Sequence, residues 1–330
     1  MELTMPDLAI SAADVREAAK RIEGVAIRTP LLEFAQLTER AGHRVLVKFE
    51  GAQRTGSFKF RGAYNRLSLI PLEQKARGVV AWSSGNHAQG VAAAARLLDM
   101  PATIVMPSDA PAIKVANTSA LGAEIVFYDR HTQSREQIAT ALADELGAVL
   151  VPSFDDPYII AGQGTAGLEI LEQAAEAGAT IGQVLVCCGG GGLIAGVATA
   201  IKDAVPSVAI YSVEPCAFDD TARSLAGGER TTVPADARSI CDALLAPTPG
   251  ALTFPINRAL LAGGLSVTDD QVRAAMRFAF NAMKLVVEPG GAVALAAVLE
   301  GMIPAPEAAT IVVISGGNVD ADAYAEILRS

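Results

Sequence analysis

Short β-branched runs alternate with longer helical patterns along this chain, and no other feature limits its fold as much. The series predicts strand Arg44–Glu50, helix Ala63–Leu69, strand Gly78–Trp82, helix His87–Leu98, strand Ala102–Met106 and helix Ala112–Leu121. Strand Glu124–Tyr128 and helix Arg135–Leu146 follow. After Pro152 come helix Thr165–Ala177, strand Gln183–Cys188, helix Leu193–Ala204 and strand Val208–Glu214. Helices Asp269–Leu285 and Ala292–Leu299 and strand Thr310–Ser315 close the series. A helix Ala12–Ile22, capped by Ser11, and an extended lead-in Arg28–Leu31 precede it. Strands joined by helices of about ten or more residues make βαβ crossovers rather than hairpins, so an α/β fold with open, mostly parallel sheets is expected. With 330 residues, the chain exceeds what one core comfortably fills, so two domains or one large α/β domain is the expectation.

Composition narrows the partners. Hydrophobic residues make up 51%, yet no apolar run reaches the ~18 residues of a membrane span. Met1 to Ile10 lacks a basic segment followed by an apolar block, so no secretory signal is expected. Thirty-six acidic against 26 basic residues give a net charge of −10, which argues against nucleic-acid and anionic-membrane partners. Any anion must therefore be held by a local site. Four cysteines are too few for a disulfide scaffold, and Cys187 and Cys188 point to opposite faces of their strand, so a reduced, cytoplasmic protein is expected. There is no Cys-x-x-Cys spacing, and His43, His87 and His131 do not cluster along the chain.

Four local patterns carry chemistry. The first, Gln53 to Gly62, sets Lys59 between Phe58 and Phe60 behind a glycine turn. Apolar neighbours lower a lysine pKa, and a neutral amine forms a Schiff base with an aldehyde. The plainer reading is a lysine that lays its stem on apolar surface and keeps its head in water. The second is Ser83-Ser84-Gly85-Asn86-His87, at a strand end before a helix. Its N–H groups and side-chain donors suit a substrate carboxylate, and a simple helix cap explains the same residues.

The third pattern, Gly189-Gly190-Gly191-Gly192, lies between an apolar strand and an apolar helix, where the backbone can close on one phosphate. A dinucleotide fingerprint also fits there: Gly190, Gly192 and Ala195 have the spacing, and Glu214 stands at the next strand end as a ribose-binding acid. That reading gives Lys59 and Asn86 no role. The fourth is Ser315-Gly316-Gly317-Asn318, where a serine hydroxyl can hydrogen-bond a pyridine nitrogen without forcing its protonation.

In this order the patterns resemble the fold-type II pyridoxal-phosphate enzymes, and among them the threonine and serine dehydratases, serine racemases and 3-hydroxyaspartate dehydratases. The resemblance runs from Arg28-Thr29-Pro30-Leu31 through SFKFRGA (57–63), SSGNHAQG (83–90), IAGQGT (160–165), GGGGLIAG (189–196) and VEPGGA (287–292) to ISGGNVD (314–320). It implies two domains with the cofactor in the cleft between them. A large cofactor-binding domain would take 1–77 and 157–330, a small substrate-closing domain 78–156, and no C-terminal regulatory domain or isoleucine feedback is expected. The implied partners are a small amino-acid substrate and a second copy in a homodimer. The implied reaction converts L-serine, L-threonine or 3-hydroxyaspartate to a 2-keto acid and ammonia.

Residue by residue, the resemblance gives Lys59 the Schiff base to pyridoxal 5'-phosphate. Phe58 would flank the ring, Asn86 contact the ring hydroxyl, Gly189 to Gly192 hold the phosphate, and Ser315 face the pyridine nitrogen. Ser83, Ser84, Asn86 and His87 would surround the substrate carboxylate. Ser84 stands where threonine dehydratases usually have alanine and serine racemases have serine. Its hydroxyl would act on the face opposite Lys59, so racemisation is the alternative activity. Glu214, Asp220 and the Phe218 carbonyl match the spacing of a divalent-cation site suited to Mg²⁺ or Ca²⁺, and Asp219 and Asp220 serve equally to open a helix Thr221–Leu225. Arg135 would read a second substrate carboxylate, or be a solvated helix residue.

Overall fold

The structure, a computed structural model, describes residues 8–110, 112–129 and 132–330, so His131 lies outside the described residues. Its strands are β1 Leu31–Glu33, β2 Val45–Phe49, β3 Val79–Trp82, β4 Ala102–Pro107, β5 Glu124–Tyr128, β6 Val149–Leu150, β7 Ile181–Cys187, β8 Ala209–Pro215, β9 Gly263–Val267 and β10 Ala309–Ile314. They form two sheets, a six-stranded one in the order β1-β2-β10-β7-β8-β9 and a four-stranded one in the order β5-β4-β3-β6. Every pairing among the described strands is parallel except β1 with β2. Central β10 is buried along its whole length because helices cover both faces, which is why it reads as an unbroken apolar run.

The helix Lys59–Ser68 links the sheets. Its Phe60, Ala63 and Leu67 pack into one apolar cluster with Val79, Ala81 and Ile104 of the four-stranded sheet and with Ala88 and Val91 of the helix Asn86–Leu97. Gly90 allows the two helices to meet, since a side chain there would press on the backbone of Lys59 and Phe60 at 3.2 Å.

The helix expected from Ala63 starts already at Lys59 and that expected from Ala292 at Pro289, and two other predicted boundaries move further. The helix expected from Thr165 runs Pro157–Glu176 and starts where Asp156 caps the N–H groups of Tyr158 and Ile159. Gly162, Gly164 and Gly167 hide its first turns in the sequence, because glycine disfavours helix. Here Gly164 lets the helix pack directly on Gly196 of the helix Gly192–Ala204. The predicted helix Asp269–Leu285 stops at Phe278 and passes through a π turn, Ala279–Met283, to Lys284 at φ +59. The helices Ala35–Ala41, Thr253–Leu260 and Ala321–Arg329 and strand β9, with its sequence GGLSV, are additions to the predicted series. Among the described residues, no helix is long and apolar enough to cross a membrane.

Candidate active site

Strand ends and helix starts from both sheets bring the four patterns together. Ser57 forms a bridge with Gly316, and the Phe58 N–H donates to the Ser315 carbonyl at 3.1 Å. The turn that launches Lys59 is thereby stitched to the end of β10. Gly316 must lack a side chain, because Glu288 and Ser57 fill the space a Cβ would take. Lys59 opens its helix with its amine 5.2 Å from the Phe58 ring centre, and Nζ donates to the Ser153 carbonyl at 2.8 Å. Burial lowers its pKa to about 8, with Cys187 and Glu288 opposing the shift. The residue as a whole is half-buried, and its lowered pKa makes the amine deprotonatable.

Asn86 is locked by a relay. Its Nδ2 donates to Glu288 Oε1 at 2.7 Å, while its Oδ1 accepts from Asn318 Nδ2 at 2.8 Å. Asn318 Nδ2 also reaches the Thr55 carbonyl at 2.7 Å. Burial and the charge of Asp242 push Glu288 up to about 8. Glu288 and Asn318 lie within the motifs of the family resemblance, but the sequence reading assigns neither a role. Ser315 is buried and its hydroxyl hydrogen-bonds Cys187, whose thiol burial pushes up to about 12. That thiol partner is therefore uncharged.

In the β3 turn, Ser83 Oγ accepts from the Gly85 N–H at 3.1 Å, and Ser84 is half-buried. His87 Nε2 donates to the Val151 carbonyl at 3.0 Å, which leaves Nδ1 as a buried acceptor with no protein partner. Burial, then the charge of Lys59, holds His87 down at about 3, so the ring is neutral. Gly189–Gly192 links β7 to the helix Gly192–Ala204, with Gly191 at φ +92 as its cap. A side chain at Gly190 or Gly192 would strike Phe154, and one at Gly191 would strike Thr253 and Asn257. The loop is thus packed from behind, and the N–H groups of the helix's first turn have no intrahelical acceptor. That is a fitting seat for a phosphate.

Arg135 is not brought to this cluster. It is exposed at the start of its helix, and its Nε donates to Glu136 at 2.8 Å. Glu214 caps the helix Asp220–Gly227, its two carboxylate oxygens accepting from the N–H groups of Thr221 and Ala222 at 2.9 and 2.8 Å. This occupies the acid that the dinucleotide reading assigned to a ribose. Burial and Asp220 raise Glu214 to about 8, and burial raises Asp220 to about 7 with its Oδ2 buried and unpartnered. Phe218 ends the adjoining turn Cys216–Phe218. Among the described residues, no group of three or more His, Cys, Asp or Glu side chains is placed to hold a metal. Any cation here would rest on two carboxylates and a carbonyl.

The profile of a family described as "Pyridoxal-phosphate dependent enzyme" matches residues 22–317. The chain belongs to this family. Its cofactor is pyridoxal phosphate, and Lys59, the glycine loop and Ser315 offer the amine, phosphate seat and neutral hydroxyl that such a group needs. An L-threo-3-hydroxyaspartate ammonia-lyase of Pseudomonas sp is 46% identical over 316 residues, covering 96% of this chain and 98% of that protein. The solved structure of a T.th. threonine deaminase superposes with a TM-score of 0.89 at 45% identity, over 94% of this chain and 99% of the other. Maize serine racemase superposes with a TM-score of 0.91 at 38% identity, over 97% of each chain. This pyridoxal-phosphate enzyme has the fold-type II architecture of these neighbours.

Proposed function

We propose that the protein is an ammonia-lyase that turns a β-hydroxy amino acid, one of L-serine, L-threonine or 3-hydroxyaspartate, into a 2-keto acid and ammonia by α,β-elimination. The observation that carries the proposal is the Lys59 amine, lowered to about 8 in a cleft that also holds the fixed amide of Asn86 and the uncharged Ser315 hydroxyl. When bound, the cofactor supplies the electron sink that acidifies the substrate α-C–H bond. Lys59, as a neutral amine, would take that proton. The N–H groups and side chains of Ser83 to His87 would hold the substrate carboxylate, and Asn86 would fix the ring hydroxyl. Gly189 to Gly192 would hold the phosphate. Ser315 would serve the pyridine nitrogen without charging it, a setting that favours loss of the β-hydroxyl over prolonged carbanion storage. The test is an absorbance spectrum of the purified protein, followed by a keto-acid assay over a panel of β-hydroxy amino acids. A colourless protein that stays so with added cofactor sinks the proposal.

Racemisation is the second reading, favoured by Ser84, whose hydroxyl no protein group engages among the described residues. Ser84→Ala is expected to lower D-serine formation from L-serine about 10²–10⁴-fold while keto-acid production persists. Unchanged D-serine formation would mean that the second proton comes from elsewhere.

The unpartnered Asp220 Oδ2 beside Glu214 supports a divalent cation held with the Phe218 carbonyl. Ca²⁺ or Mg²⁺ at a hundredfold excess over Kd is expected to raise the melting temperature by roughly 4 °C, and Asp220→Ala should remove the shift. No shift in the parent protein counts against the cation. We further assign residues 78–156 to a small unit that closes over the substrate, against 1–77 and 157–330, because β3 to β6 make a sheet of their own. A homodimer in a reducing cytoplasm completes the proposal, the cysteines being free and three of the four buried.

A further inference from the structure

Of the candidate substrates, 3-hydroxyaspartate alone carries a second carboxylate, and Arg135, exposed and held by Glu136, is not placed to receive it. Another cation is. Lys114 lies in the helix Ala112–Ala120, which joins β4 to β5 of the four-stranded sheet, and its amine pairs with the carboxylate of Asp242. Asp242 opens the turn Asp242–Leu244, in the connection from β8 to β9 of the six-stranded sheet, so the ion pair spans the two sheet units. A cation in the first turn of a helix opposes the helix dipole, so Lys114 does nothing for the helix that carries it.

The turn beneath this pair packs on the site. A side chain on Gly189, first of the glycine loop, would meet the Leu244 backbone at 3.2 Å, and one on Gly290 would meet Ala243 and Leu244 at the same distance. Gly290 stands two residues after Glu288, the carboxylate that holds Asn86. Burial and then Asp242 raise Glu288, while its hydrogen bond to Asn86, Lys114 and Lys59 pull it back. Lys114 and Asp242 thus act on the same carboxylate as the Schiff-base lysine.

The two ends of the pair are unequal. The Lys114 side chain is 19% exposed and that of Asp242 49%, so the carboxylate can return to water while the more enclosed amine still needs a counter-charge. An ion pair with one end in water is worth only about 0–1 kcal/mol, and a ligand already held elsewhere in the cleft competes for it intramolecularly. We propose that Lys114 is a specificity-determining residue that binds the second carboxylate of a dicarboxylic β-hydroxy amino acid in place of Asp242. The assignment deepens the lyase reading and rests on it for the substrate class.

The test uses the full-length holoenzyme and two amino acids without a β-hydroxyl, L-aspartate and L-alanine, which differ by one carboxylate. Their Kd values are read from the change in cofactor absorbance, so no elimination is needed. The parent should prefer aspartate, and Lys114→Met is expected to lower that preference about tenfold. Asp242→Asn removes the competitor and should raise it about two- to fivefold. Lys114→Met combined with Asp242→Asn should be as poor as Lys114→Met alone. A parent with no preference for aspartate, or equal losses of both ligands in Lys114→Met, overturns the assignment. So does a double variant that regains the parental preference, since repulsion from a stranded Asp242 would then explain the single one. Failure of the lyase reading looks different: aspartate is preferred through Lys114, yet no β-hydroxy amino acid yields a keto acid.

Discussion

Lys59→Ala is expected to yield a folded protein that takes up pyridoxal phosphate without the long-wavelength absorbance of a lysine-bound cofactor and forms no measurable keto acid. The substitution removes two functions at once. The covalent anchor is lost, and so is the base, whose absence alone lowers the rate about 10²–10⁴-fold. The lysine's environment makes a second, independent readout available. Burial holds its pKa at about 8, against 10.5 for an ordinary lysine, so roughly a tenth of the amine is neutral at pH 7. Only the neutral amine attacks an aldehyde. The rate at which apoprotein captures the cofactor should therefore climb with pH and level off above a midpoint near 8. A midpoint above 10 would mean that the amine stands in water, and keto acid formed by Lys59→Ala at the parental rate would remove it from the chemistry.

What the sequence made legible, and what it hid, follows from the range of the interactions involved. Buried parallel strands such as Thr310–Ile314 announce themselves, because both faces need apolar residues and no alternation dilutes the run. The helix start at Pro157 is quieter, since the glycines that allow its close contact with Gly196 are the residues that weaken a helical pattern. The structure brings the turn before Lys59, the Asn86 turn and the Ser315 loop together, and these segments stood out in the sequence because strand ends facing helix starts are where an open sheet places its ligands. The Glu288–Asn86–Asn318 relay did not, because its hydrogen bonds join residues 202 and 232 positions apart. Its members look locally like helix-start and loop residues. Arg135 shows the reverse: an arginine of suitable chemistry that the fold leaves outside, on Glu136.

The second large effect falls on stability and lies two residues beyond the lysine. Arg61 is fully buried and makes a two-point contact with Glu50, Nε and Nη2 each donating at 2.8 Å. It reaches Glu169 through Nη1 at 2.6 Å and Nη2 at 2.9 Å. Lys48, also fully buried, donates to Glu169 at 2.6 Å, to the Thr29 carbonyl at 2.7 Å and to Gln173 at 2.8 Å. Two cations thus balance two carboxylates, with Lys48, Arg61 and Glu50 fully buried and Glu169 at the edge of the cluster, 15% exposed. Burial alone would push Glu50 up, but the charge of Arg61 prevails and holds it below the usual carboxylate range. Replacing Arg61 with methionine keeps most of the volume and leaves Glu50 without its guanidinium, so the expected loss is about 3–5 kcal/mol in denaturant unfolding of the apoprotein. The variant should also recover stability as pH falls, because a Glu50 stripped of its partner then has a folded pKa above its unfolded one. In the parent the sign is opposite: with the folded value depressed, stability is full above the unfolded pKa and declines as pH drops below it. Adding Glu50→Gln to Arg61→Met should restore part of the loss by removing the stranded charge, where two independent defects would add. Arg61→Lys is expected to help little, since one ammonium cannot serve two carboxylates on separate elements. A loss below about 1 kcal/mol for Arg61→Met would show that Glu50 is protonated at little cost, and that the cluster does not anchor the lysine helix.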